Sequence, residues 1–119
     1  MRLPWLISAL ILAAVLALLQ HVALADYLYW RYPWFDTLMH FLGGLTVACF
    51  AVGLLRKHRA QLFLVGMVAI AVGWEVFEFA IGTQREANFV FDTSLDLLMD
   101  TLGMVTVYLV ARYTLWRSA

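Results

Sequence analysis

The sequence predicts an all-α integral membrane protein: a bundle of four transmembrane helices with both termini cytoplasmic. Three observations carry this. The chain is 65% hydrophobic and only 13% charged, more apolar surface than a water-soluble core of 119 residues could hide. Four apolar stretches reach the ~20 residues that a helix needs to cross hydrocarbon. The basic residues are sorted unequally among the linkers between those stretches.

The spans are expected at about 5–25, 35–55, 62–82 and 94–111, forming a single transmembrane domain over 1–119. The connecting linkers 26–34, 56–61 and 83–93 are short, which makes neighbouring helices antiparallel. The first stretch has a rival reading as a signal peptide, because Met1-Arg2, an apolar run and Ala23-Leu24-Ala25 imitate one. Its length favours a retained helix. Arg2, Arg56, Lys57, Arg59, Arg112 and Arg117 lie in the N-terminus, the middle linker and the tail, against Arg31 and Arg85 in the other two linkers. By the positive-inside rule, six against two places both ends inside. Tyr27, Tyr29, Trp30, Tyr32 and Trp34 then suit an aromatic belt at the outer interface.

That orientation puts all eight acidic residues in the outer half. Asp26, Glu86 and Asp92 fall in linkers or at an interface and read as solvated. The others lie within spans. On a helix of 3.6 residues per turn, Asp36, His40, Gly43, Gly44 and Val47 share one stripe. Glu75, Glu78 and Gly82 share a face of the third span, and Asp96, Asp100 and Gly103 a face of the fourth. The glycines suggest close helix approach, as small residues allow. The segment from Asp36 to Val47 also aligns without gaps on that from Asp96 to Val107, sixty residues later, with seven of twelve positions identical. A repeat of two helix pairs, related by a pseudo-two-fold axis along the membrane normal, would explain this.

A charged carboxylate at the bilayer centre costs about 2.5–3.5 kcal/mol on an insertion scale. Asp36, Glu75, Glu78, Asp96 and Asp100 must therefore face one another or water. Two arginines cannot offset five carboxylates, so the cluster either shares protons or holds a cation. Asp36–His40, Glu75–Glu78 and Asp96–Asp100 offer hard oxygens and one imidazole. The metal-ligand candidates are His40, Glu75, Glu78, Asp96 and Asp100, favouring Mg, Mn or Ca, with Zn or Fe admitted by His40. Asp36 and His40 are the candidate catalytic acid/base pair. A proton-sharing cluster and an arginine-neutralised pocket stay open as alternatives.

Other residues read more plainly. Cys49 is alone, which excludes an intramolecular disulfide and a thiolate zinc cluster, and reads as core. His21 reads as interfacial, His58 as part of a topology-fixing basic linker, and Trp74 as packing against lipid or a neighbouring helix. No serine-nucleophile elbow, phosphate-binding glycine loop or nucleic-acid motif is present. The expected surroundings are lipid, with a second copy of the chain or another membrane protein as the open partner.

Phe35-Asp-Thr-Leu-Met-His-Phe-Leu-Gly-Gly, Trp74-Glu-Val-Phe-Glu-Phe, Gly82-Thr-Gln and Phe91-Asp-Thr-Ser-Leu-Asp-Leu-Leu-Met-Asp-Thr-Leu-Gly resemble the YjdF-type bacterial inner-membrane proteins over about 34–103. The resemblance implies a multi-pass protein of the bacterial inner membrane with Asp36, His40, Glu75, Glu78, Asp92, Asp96 and Asp100 as its signature, and no settled activity. A more distant similarity to VanZ-like proteins hints at cell-envelope biology. The leading expectation is an outward-facing metal site, serving a hydrolase or transferase on a lipid or lipid-linked phosphate. The competing classes are a carrier or channel subunit for cations or protons, and a non-catalytic accessory subunit. The inner halves of the spans hold little polar beyond Ser8, Thr46 and Thr106, which weighs against a through-pathway.

Overall fold

The protein is described from a computed structural model that covers residues 2–55, 58–82 and 88–117. Among these residues the chain is all helical: α1 (Leu3–Ala25), α2 (Leu28–Arg31), α3 (Phe35–Leu54), α4 (Ala60–Ile81) and α5 (Phe89–Thr114). All but α2 are long and apolar enough to cross a membrane. Their apolar residues run around the whole circumference, as helices facing lipid allow.

Local chemistry sets the helix ends. Pro4 lies in the first turn of α1, where a missing N–H costs nothing. Tyr27, at φ 57°, turns the chain into the single turn of α2, which lies within the expected 26–34 linker. Gly82, at φ 74°, closes α4 in the left-handed conformation that glycine tolerates. Gly82 is thus a helix terminator, not the close-approach residue that its stripe suggested. Asn88 caps α5, its side chain accepting a hydrogen bond from the Phe91 N–H at 3.1 Å. The fourth span therefore begins at Phe89 and not near 94.

The packing is uneven. α3 is the central helix, lying along α5 on one side and α1 on the other, whereas α4 approaches α3 and α5 only over a short length. Gly44 and Gly103 explain the first seam. A Cβ on Gly44 would run into the Asp100 carbonyl, and one on Gly103 into the Phe41 carbonyl and, at 2.8 Å, the Leu45 nitrogen. On the other side of α3, a Cβ on Gly53 would lie 2.5 Å from Leu6 of α1. Gly43 is different, because a Cβ there would meet nothing within 4 Å.

Two cavities flank α4. A cavity of about 260 Å³, lined by apolar residues such as Phe63, Met67 and Met104, separates it from α5. A larger one of about 550 Å³ lies between α1, α3 and α4. At the opposite end from the acidic residues, the chain is closed by an aromatic group. His58 stacks on Trp116 at 5.0 Å and its Nε2 lies 3.0 Å from the Tyr108 hydroxyl. The Arg2 guanidinium sits 5.7 Å from the centre of the Trp116 ring. His58 is therefore a packed side chain, in place of the purely basic linker residue expected. Arg56 and Lys57, also counted for topology, lie outside the described residues, as do Arg85 and Glu86. Cys49 is buried and unbridged.

Candidate functional site

Three helices bring ionisable groups to the end of the bundle that carries α2 and its aromatic residues. Asp36 stands in the first turn of α3 with His40 one turn further in. Glu75 and Glu78 lie in the last two turns of α4, and Asp92, Asp96 and Asp100 recur at every fourth residue along α5. The seam between α3 and α5 fixes His40 against α5. Because Gly44 and Gly103 let the two backbones meet, the imidazole reaches Asp100, with Nδ1 3.0 Å from Oδ1.

That contact sets the roles of the two ring nitrogens. An ionised Asp100 carboxylate can only accept, so in that state the Nδ1–H of a neutral imidazole donates to it and Nε2 is the nitrogen left to face other groups. Nε2 lies 3.4 Å from Asp96 Oδ2 and 3.7 Å from Asp36 Oδ1. The nearest partner of His40 is thus Asp100, and the sequence pair Asp36–His40 is wider than a hydrogen bond. A histidine whose one nitrogen is held by a carboxylate while the other faces a ligand group is the arrangement that orients metal-binding imidazoles.

Burial isolates the cluster. Asp96 is 2% exposed, and His40, Glu75 and Asp100 are each 7% exposed. His40, Glu75, Glu78 and Asp96 each offer one ligand atom, all within 4.8 Å of one another. Asp36, Asp92 and Asp96 form a second such group that shares Asp96. Asp100 is in neither and serves as the imidazole's partner. Among the described residues, neither buried oxygen of Glu75 has a hydrogen-bond partner, which for an uncompensated carboxylate is costly.

Asp92 was read from its linker position as solvated. It stands half-buried in the first turn of α5, beside Asp36 and Asp96. The spacing Asp92–Asp96–Asp100 held the signal, and the missed Asn88 cap hid it by starting the helix too late. Away from the cluster, His21 is exposed on α1. Arg31 lies 5.5 Å from the centre of the Tyr32 ring.

The larger cavity opens onto part of this cluster. Asp36, His40, Glu78 and Asp100 line it at the polar end, where Tyr29 donates its hydroxyl hydrogen bond to Gln20 Oε1. Glu75 and Asp96 are not among its lining residues. The cluster therefore has a deep tier and a tier that faces the cavity.

Four apolar helices of spanning length around a buried carboxylate–imidazole cluster define a polytopic helical membrane protein. The chain belongs to the family described as "Predicted membrane protein (DUF2238)", whose model matches residues 1–117. No curated protein and no solved structure matches it.

Proposed function

We propose that this membrane protein holds a divalent cation in its buried cluster, with His40 Nε2, Glu75, Glu78 and Asp96 as ligands. The observation that carries this reading is Glu75, buried with both oxygens lacking a hydrogen-bond partner among the described residues and within 4.8 Å of three other ligand groups. A cation between them converts that cost into coordination. Asp100 holds the imidazole in the tautomer that coordinates, and Asp36 and Asp92 carry further negative charge beside Asp96. Three carboxylates and one imidazole suit Mg, Mn or Ca, and the nitrogen admits Zn or Fe.

The catalytic form of this reading is a metal-dependent hydrolase or transferase on a lipid or lipid-linked phosphate. The cation would polarise a phosphoryl oxygen or activate water. The carrier alternative needs a polar route to the opposite end. On the way there, Ser8, Thr106 and the cavity-lining Thr46 turn their hydroxyls back onto carbonyls of their own helices, which favours a site open from one side only. The positive-inside rule favours the outer face for that side, and the YjdF-like motifs favour a bacterial inner membrane.

Elemental analysis of the purified protein, followed by thermal melts with and without chelator, tests the reading. Stripping a cation present at 100 times its Kd should remove about 2.7 kcal/mol of stability, restored on readdition. Glu75→Gln should lower metal affinity and shrink the chelator effect. Melts insensitive to chelator, with Glu75→Gln more stable than wild type, would instead establish a metal-free cluster relieved by losing a charge.

A further inference from the structure

We propose that the 550 Å³ cavity is a binding site for an amphiphile with a cationic head and a single apolar tail, admitted from the membrane between α1 and α4. The inference rests on the acidic cluster of the proposed cation site but not on the ion itself. The volume falls within the roughly 300–1,000 Å³ range of small-molecule sites. Its position is the first argument. α1 and α4 both line the cavity, yet their backbones do not approach each other among the described residues. The gap is flanked by Leu16, Ala17, Ile70 and Ile81, an apolar wall that suits an alkyl chain and not a hydrated ion.

The chemistry of the polar end is the second argument. Asp36, Glu78 and Asp100 face the space, and no Lys or Arg is among its described lining residues. Among the described lining residues the one group that can carry positive charge is the His40 imidazole, against the three carboxylates Asp36, Glu78 and Asp100. A divalent ion on the deep tier offsets its own ligands first. An ammonium head is drawn to such a surface, and a phosphate head is repelled except where it touches the ion. Tyr29, Trp74 and Phe77 line the same cavity, and aromatic rings are the side chains that attract an alkylammonium.

Gly43 is the third. It lines the cavity, and the space its missing Cβ would enter is empty. The neighbouring Gly44 is required by the backbone contact with α5, whereas Gly43 keeps the chamber open.

The test uses the whole protein in a neutral detergent, with dodecyltrimethylammonium, dodecyl phosphate and dodecanol as probes and native mass spectrometry as readout. Wild type should bind one saturable equivalent of the ammonium amphiphile, at least about tenfold tighter than the other two. Chelation should leave that affinity unchanged or raise it. Gly43→Leu, which fills the chamber, and Asp36→Asn, which removes a charge from it, should each weaken binding about tenfold. Gly43→Leu should also leave manganese binding intact, and Ala17→Trp repeats the filling from α1 if Gly43→Leu does not fold. Ammonium binding equal in wild type and a folded filled variant would reduce the effect to the detergent belt and overturn the proposal. Dodecyl phosphate binding more tightly, and only with metal present, would overturn the choice of a cationic head in favour of phosphate. Ammonium binding without any manganese binding would sink the metal reading alone.

Discussion

Where α3 crosses α5, backbone meets backbone, and where α4 faces α1 and α5, cavities intervene. The helices of the tight seam, α3 and α5, are less apolar than α1 and α4, so greater hydrophobicity does not explain their closer packing. In lipid there is no hydrophobic gain from bringing such helices together, and close packing depends on small residues that let backbones touch. Gly44 and Gly103 supply that on one seam, and Gly53 against Leu6 on the next. Gly66 and Gly73 of α4 touch nothing within 4 Å of their missing Cβ atoms. The consequence is functional: the tight seam fixes His40 on Asp100, while the loose flank leaves a chamber in front of them.

The largest effect that would break this comparison is at the tight seam. Gly44→Ala and Gly103→Ala each drive a methyl into a carbonyl of the facing helix, so the helices must separate. Thermal melts should show a loss of about 1–3 kcal/mol or more for each. Gly66→Ala and Gly73→Ala should be neutral, or stabilise by up to about 1 kcal/mol through helix propensity. Equal losses in all four variants would mean that α4 packs as closely as α3 and α5.

Next in size is the bond that the seam positions. His40→Ala leaves the buried Asp100 without its partner, and Asp100→Asn exchanges a charged acceptor for a neutral amide. A double-mutant cycle between them should return a coupling of about 1.5–3 kcal/mol, the range for hydrogen bonds to charged groups. The corresponding cycle between His40 and Asp36, 3.7 Å apart, should return less. A larger coupling to Asp36 would restore the sequence pairing as the main one.

Much of the site was legible because helical periodicity is a local property. Asp36 with His40, Glu75 with Glu78 and Asp96 with Asp100 each fall on one face by spacing alone, and the cost of charge in hydrocarbon turns the three faces toward one another. Which residue pairs with His40 was not legible, because the answer depends on the register between α3 and α5. The sixty-residue offset of the internal repeat did contain it: His40 and Asp100 occupy equivalent repeat positions and lie side by side. The glycines misled for a related reason. A stripe shows that Gly43 and Gly44 lie near the same face, but whether the neighbouring space holds a backbone or a cavity depends on where α4 stands. Asp92, which the family resemblance includes, is lost to the reading by spacing through a boundary, since one polar residue at a helix start moves a whole turn from linker to site.

That boundary gives the smallest test, and it bears on the loose side of the molecule. Asn88 is the cap that begins α5 early, its side chain taking the Phe91 N–H. Replacing it with alanine orphans one donor at the first turn, a loss of about 1 kcal/mol in stability. Asp92 lies in that same turn, so fraying there would loosen its place beside Asp36 and Asp96. The Gly44–Gly103 seam lies three turns deeper and should not respond. Asn88→Ala should therefore raise amide exchange from Phe89 to Asp92 while leaving Asp100 to Met104 as protected as in wild type. Asn88→Asp, which keeps an acceptor and adds favourable charge at a helix N-terminus, should restore protection of the first turn. Should exchange rise along all of α5 in Asn88→Ala, the helix would be folding as one unit with its cap, and the tight seam would not be the independent anchor that its glycines make it.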